Sequence, residues 1–193
     1  MQLLGINGSM RKTCNTNILI DAVMKSAKKV NPKVKTKILQ MANLKIEPCR
    51  SCYDKCSIKP CKCIIKNDDL DMVCNEMKKA DAIVIGSPLY FNIPARLTAL
   101  IERLVCLSYF HQVRGFKEPA PLNDKLCGLI AISGDGDTLP VLQHLLNFVL
   151  FLKMKPVFLK SYPYIGISGQ GGYKNSIDEA KVLGELLVKS VNQ

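Results

Sequence analysis

The chain alternates short, dense apolar runs with longer stretches in which apolar residues recur every three or four positions. Leu3-Leu4-Gly5-Ile6 is a strand that runs into the turn Asn7-Gly8-Ser9. From Asn17 onward, Ile18, Leu19, Ala22, Val23, Ala27 and Val30 keep helical spacing, and Asn31-Pro32 stops the helix. Residues 34–39 form a second strand, and residues 41–66 an irregular, cysteine-rich insert. Asp68 or Asp69 caps a helix to about Lys79. The unbroken apolar run at 82–86 is a strand buried on both faces. Residues 87–92 are a loop, and Pro94 opens a helix to about Leu107. Residues 110–124 are a loop. A fourth strand covers 126–132, a helix about 139–152, and a fifth strand 156–160. A glycine-rich loop at 166–172 leads to a last helix, about 176–191.

A strand followed by a helix, five times over, predicts one α/β domain over residues 1–193: a parallel sheet with helices on both faces. Neither a repeat nor a shift in composition marks a second domain. No apolar run reaches the roughly 18–20 residues a membrane span needs. The N-terminus reads as a strand rather than a signal peptide, so the expected location is cytoplasmic.

Ligands of such sheets bind beyond the carboxyl ends of the strands. Three loops there suit one anionic, planar ligand. The first, residues 8–17, offers Gly8 for a sharp turn, polar side chains from Ser9, Thr13, Asn15, Thr16 and Asn17, positive charge from Arg11 and Lys12, and a helix N-terminus. A phosphate would be well held; a plain polar turn before a capped helix would read the same way. The loop has neither the Gly-Lys-Ser/Thr ending of a P-loop nor a G-x-G-x-x-G fingerprint. The second, Ser87 with Pro88, Leu89, Tyr90, Phe91, Asn92 and Ile93, could pack a flat ring or simply cap the core. The third, Ser133, Gly134, Asp135, Gly136 and Asp137, lets backbone approach a ligand closely.

Charge adds a constraint. Net charge is +11 and the sequence pI about 9.3, which favours anionic partners. The lysines are scattered, aromatics make up 6% and Trp is absent, a poor stacking platform for nucleic acid. Specific nucleic-acid binding is therefore not expected. An anionic cofactor and an acidic protein partner account for the charge. No serine–histidine or paired-carboxylate catalytic set is evident. His111 and His144 read as surface or packing residues, and Glu102 and Arg103 as helix-face ion pairs or a subunit contact.

Nine cysteines are present, five of them between residues 49 and 63. With no secretory signal, such a cluster points to metal or redox use rather than a disulfide framework. The other four, Cys14, Cys74, Cys106 and Cys127, read as structural: Cys74 and Cys106 fall on predicted helices and Cys127 on a strand, where a thiol packs as a small apolar group. A zinc site usually pairs two distant Cys-x-x-Cys arms, and only one is present here. The compact spacing therefore favours an iron–sulfur cluster, with Arg50, Lys55, Lys59 and Lys62 offsetting its charge. Thiols, a disulfide or a lid would also account for the segment.

Residues 5–11 with Asn15-Thr16-Asn17 resemble the phosphate loop of the NADPH-dependent FMN reductase family, and residues 80–90 with the helix end at 101–103 resemble its second signature. Met10 stands where the family usually has proline. The resemblance implies a flavodoxin-like, doubly wound, five-stranded parallel sheet with the cysteine-rich insert after the second strand. It implies FMN, with its phosphate on the loop that holds Ser9, Met10, Arg11, Asn15, Thr16 and Asn17. The ring would contact residues 88–93 and 133–137. The insert, with 64–70 after it, resembles the iron-sulfur flavoprotein branch of that family, which implies a 4Fe-4S cluster beside FMN and electrons from a carrier such as ferredoxin. The spacing departs from the branch, with three residues between Cys52 and Cys56. The expected ligands are Cys49, Cys52, Cys56 and either Cys61 or Cys63, with Cys63 preferred for its place ahead of the Asp68-Asp69 helix start. Without a cluster, the reading is an NAD(P)H-dependent flavin or quinone reductase. Relatives form dimers or tetramers, and Tyr109, Phe110 and the apolar stretches at 104–107 and 148–152 predict a homodimer or homotetramer.

Overall fold

A computed structural model describes residues 1–11, 13–58, 61–108, 119–161 and 163–191. The Lys12, Lys59, Tyr109, Phe110 and His111 expectations lie outside the described residues.

The central strands are β1 (Gln2–Asn7), β2 (Lys35–Gln40), β3 (Ala82–Pro88) and β4 (Leu126–Ile132), all parallel. They stand in the order β2-β1-β3-β4, with β5 (Lys155–Pro156) beyond β4. This is the flavodoxin-type order, which reverses direction between β1 and β3. The alternation of side chains sorts each strand between two cores. Leu3, Ala82, Val84, Ile130 and Ile132 meet α1 (Asn15–Val30) and α6 (Ile177–Val191) on one face. Leu4, Ile6, Ile83, Ile85, Cys127 and Leu129 meet α3 (Leu70–Lys79), α4 (Ala95–Leu104) and α5 (Leu139–Phe151) on the other. A strand buried on both faces cannot spare a polar position, which is why 82–86 reads as one apolar run.

The structure corrects the expected outline at five points. The fifth strand expected at 156–160 is split. Only Lys155–Pro156 pairs with the start of β4, and pairing resumes at β6 (Ile167–Gly169), beside Ile130, Ala131 and Ile132. Val157 and Leu159 still pack on the α1–α6 core, so their alternation reflects burial rather than a continuing ladder. Part of the expected 166–172 loop is thus strand. The insert is not wholly irregular, since α2 (Tyr53–Ile58) lies within it. Helix α1 starts at Asn15, two residues early, and α4 tightens into a 3₁₀ turn at Val105–Leu107.

Much of the apolar surplus read as subunit contact fills this chain's own core: Leu104, Leu107, Phe148, Val149 and Leu152 are buried, while Leu150 and Phe151 remain exposed. Among the described residues no helix is long and apolar enough to cross a membrane.

Candidate functional site

The first loop is built around Asn7, the fully buried last residue of β1. Its Oδ1 accepts from the N–H of Ser9 at 3.0 Å, and its Nδ2 donates to Gln40 Oε1 at 2.6 Å. Gly8 N–H donates to the Gly86 carbonyl at 2.8 Å, pinning the turn to β3. A Cβ on Gly8 would stand 2.5 Å from the end of the Leu97 side chain and 3.0 Å from the Gly86 carbonyl oxygen, so a larger residue would push against both. Ser9 is buried, and its hydroxyl accepts from the N–H of Arg11 at 3.2 Å. Met10 and Arg11 are exposed at the tip.

Cys14 caps α1, its sulfur accepting from the N–H of Asn17 at 3.4 Å. Burial alone would raise the Cys14 pKa. Hydrogen bonds from Ser9, the Asn17 N–H, Asn7 and Thr16 outweigh it and bring the thiol below its ordinary value. This end of α1 has no acidic residue in its first turn, so the positive end of the helix dipole is uncompensated and suits an anion. Thr16 is buried beside Gly86, and Asn17 Oδ1 is turned to Gln40 Nε2 at 2.5 Å. Asn15 faces the loop after β6: a Cβ on Gly172, which has φ +111°, would stand 3.5 Å from Asn15 Nδ2.

The second and third loops adjoin. Leu89 N–H donates to the Ile132 carbonyl at 2.6 Å, and a Cβ on Gly136 would meet Leu89 at 2.7 Å. Pro88 ends β3, buried; Tyr90 and Phe91 stand exposed, Phe91 fully. Asn92 turns its Oδ1 to the N–H of Ile93, which is buried. The Ser133 N–H donates to the Gly169 carbonyl at 3.3 Å, and its hydroxyl to the Gly136 carbonyl. Gly134 and Asp135 are exposed, and Asp137 Oδ1 accepts from the N–H of Leu139 at 2.9 Å. The three loops thus lie at the carboxyl ends of β1, β3 and β4, with an anion-favouring pole at α1 and exposed aromatics near β3.

The cysteines divide into two groups. Cys49, Cys52, Cys56 and Cys63 line one cavity of about 250 Å³ together with Cys106, Arg50, Glu102 and Arg103. Cys52 stands just ahead of α2 and Cys56 one turn later within it, the Cys56 N–H bonding the Cys52 carbonyl at 3.0 Å. Burial first, then the neighbouring charges of Cys52, Cys63 and Cys49, push the Cys56 thiol up to about 11. Cys61, with φ +63°, faces a second cavity of about 220 Å³ beside Cys74, Lys62, Lys66 and Lys78. Its N–H is held by the Cys106 carbonyl at 3.0 Å. The donor chemistry of the first group suits a thiolate-bound cluster. As arranged, no three His, Cys, Asp or Glu side chains among the described residues lie close enough to hold a metal ion.

Arg103 corrects the expected helix-face ion pair. Its side chain turns inward and pairs with Asp68 at 2.7 Å, the two side chains being 1% and 2% exposed. Glu102 is exposed at the cavity edge, and His144 is exposed as expected. Asn7, Gln40, Asp68 and Cys106 were not among the expected site residues. Asn7 belongs to a motif already noted, whereas the roles of Gln40 and Asp68 depend on contacts distant in sequence.

A model of the family described as NADPH-dependent FMN reductase matches residues 1–163. An iron-sulfur flavoprotein of Methanocaldococcus jannaschii is 31% identical over 157 residues, 80% of this chain and 74% of that protein. One from Archaeoglobus fulgidus is 27% identical over 204 residues, 98% and 94% of the two chains. Among solved structures, a flavodoxin from the domain Archaea superposes with a TM-score of 0.61 at 16% identity, covering 100% of both chains, a likeness of fold.

Proposed function

The chain belongs to the iron-sulfur flavoprotein branch of the NADPH-dependent FMN reductase family and is a flavin-dependent oxidoreductase, and from this we propose that it carries both FMN and a 4Fe-4S cluster. In this reading it takes electrons from a small acidic carrier such as ferredoxin and delivers them to a second acceptor. Bound together, such groups exchange single electrons on one side and pairs on the other.

The chain's own part is to hold and orient. The loop at Ser9, Met10, Arg11, Asn15, Thr16 and Asn17 would take the phosphate at the α1 N-terminus. Residues 88–93 and 133–137 would border the ring. Cys49, Cys52, Cys56 and Cys63 would ligate iron, with Arg50 and Arg103 offsetting the negative charge. The observation that carries the reading is that these four thiols share one cavity while Cys61 faces another. That cavity is lined by the end of α4, the helix that begins just after the 88–93 loop. The basic surface fits an acidic carrier, and self-association into a dimer or tetramer is part of the same proposal.

The test is anaerobic purification with a visible spectrum and analysis of iron, sulfide and flavin. Flavin with about four irons per chain supports it. Flavin without iron, bleached rapidly by NAD(P)H, leaves the cluster-free reductase.

A further inference from the structure

Arg103 lies in the last turn of α4 and is among the largest fully buried side chains of the protein. A guanidinium carries five donors in a rigid fork and stays charged. Here the fork serves four acceptors. Nε donates to Cys63 Sγ at 3.2 Å, Nη1 to Asp68 Oδ2 at 2.7 Å and to the Glu47 carbonyl at 2.8 Å, and Nη2 to the Ile65 carbonyl at 3.3 Å. Glu47 lies two residues before Cys49, and Ile65 two residues after Cys63. One side chain therefore ties both ends of the cysteine segment to α4. Asp68 completes the junction, accepting from the N–H groups of Glu47 at 3.1 Å and Leu70 at 3.2 Å. An ion pair that served the fold alone would need no contact with sulfur. The bond to Cys63 is additional to the pairing, and it falls on a thiol that faces the cavity.

We infer that Arg103 is a positioning residue that fixes the cysteine segment against α4 and, through its N–H to Cys63, sets the reduction potential of the group the four thiols hold. The inference rests on the cluster reading above. Reduction adds negative charge to a thiolate-bound group. Net charge and hydrogen bonds to the sulfurs are what set such potentials. A buried cation that donates to one sulfur favours the reduced form, so its removal lowers the potential.

Two variants test this in the anaerobically purified holoprotein. Arg103→Lys keeps the charge and loses the fork. Arg103→Met combined with Asp68→Asn removes both charges together, so that neither is left buried alone. In a redox titration followed by electron paramagnetic resonance, the double variant, in which the two lost charges cancel and the N–H to Cys63 is gone, is expected to lose about tenfold in its reduction equilibrium, a fall of about 59 mV for one electron. Arg103→Lys should fall less, and the flavin potential should stay put in both. A merely structural residue would loosen the fold without that selective shift; wild-type potentials in both variants overturn the inference. The second readout is limited proteolysis of metal-free protein. Cleavage between residues 47 and 68 should rise at least tenfold in the variants while residues 126–191 stay protected, and unchanged cleavage also overturns the inference. A wild-type chain that holds no iron removes the cluster reading and the tuning with it. Faster cleavage in the variants would then show that the failure lay with the cluster and not with the clamp.

Discussion

Asn7 and Gln40 join the carboxyl ends of β1 and β2 side chain to side chain: Asn7 Nδ2 donates to Gln40 Oε1 at 2.6 Å, and Gln40 Nε2 goes on to Asn17 Oδ1 at 2.5 Å. The same Asn7 holds the N–H of Ser9. Gln40 thus braces both flanks of the loop proposed to take a phosphate, from the neighbouring strand β2. Gln40→Leu leaves the Asn7 amide and the Asn17 carbonyl without that partner, which costs about 1–3 kcal/mol where the groups are buried. FMN affinity is expected to fall on the order of tenfold, the equivalent of about 1.4 kcal/mol. Titration of flavin fluorescence against apoprotein measures it, and wild-type affinity in a folded Gln40→Leu protein would refute the bracing role.

The Asp68–Arg103 pair makes a pH-dependent prediction. Burial alone would raise the Asp68 pKa. The Arg103 hydrogen bond, then the N–H groups of Glu47 and Leu70 and the charge of Arg103, bring it below the usual carboxylate value. A depressed pKa adds stability that is fully present above the unfolded value, about 3.9, and is lost as pH falls through the folded value. Asp68→Asn keeps the shape but leaves the Arg103 charge unpaired, at a cost of about 3–5 kcal/mol at pH 7. Below the folded pKa, wild-type Asp68 is itself neutral. Urea unfolding from pH 7 to pH 2 should show the gap between the two proteins closing only at the acid end. A gap constant across that range would mean the Asp68 charge contributes nothing.

Helices α1 and α6 cross so closely that Gly184 has no room for a side chain. An added Cβ would stand 2.3 Å from the Val23 carbonyl oxygen and 3.1 Å from the Ala27 nitrogen. Both are backbone atoms of α1, which cannot rotate away, so the helices must separate. Gly184→Ala should destabilise by about 1–3 kcal/mol, or more if the helices cannot yield. Gly134→Ala meets nothing within 4 Å and should stay within about 0.5 kcal/mol of wild type. Denaturant midpoints of the two variants decide this, and equal midpoints would contradict the packing.

The sheet was legible because strands buried on both faces leave apolar runs and the helices covering them leave a 3.6-residue rhythm, both local signals. The split edge was not. Val157 and Leu159 alternate as a strand would, but whether β4 pairs with residue 158 or residue 168 depends on a neighbour distant in the chain. The same holds for the cysteines. Spacing leaves Cys61 open beside the preferred Cys63, and the fold turns one toward each cavity. Arg103 read as a helix-face ion pair or a subunit contact because its actual partner, Asp68, is 35 residues away.

Substitution of single cysteines follows from that division. Cys49→Ser, Cys52→Ser, Cys56→Ser and Cys63→Ser should each bring iron well below the about four per chain of a whole cluster. Cys61→Ser and Cys74→Ser, in the other cavity, should keep wild-type iron. Iron and sulfide analysis after anaerobic reconstitution separates the sets. Loss at Cys61 with retention at Cys63 would exchange their roles.

Cys14 should stand out in its reactivity. The thiolate is the nucleophile in alkylation, so a group held below its ordinary pKa reacts early where it can be reached. Cys14 is half-buried at the α1 N-terminus, and four hydrogen bonds overcome the effect of burial there. Burial pushes Cys74 up to about 11 and raises Cys106 and Cys127 as well, and all three are sequestered in the core. Iodoacetamide at pH 7.5, read by peptide mass spectrometry, should therefore label Cys14 well before Cys74, Cys106 and Cys127. Raising the pH toward 9 should narrow its lead over any thiol that is merely exposed, because their thiolate fractions rise from a lower start. Since the same N–H and hydroxyl donors that stabilise the sulfur line the proposed phosphate loop, FMN should slow labelling of Cys14 and leave the rates at Cys74 and Cys127 unchanged. Protection at none of these sites would place the flavin phosphate elsewhere.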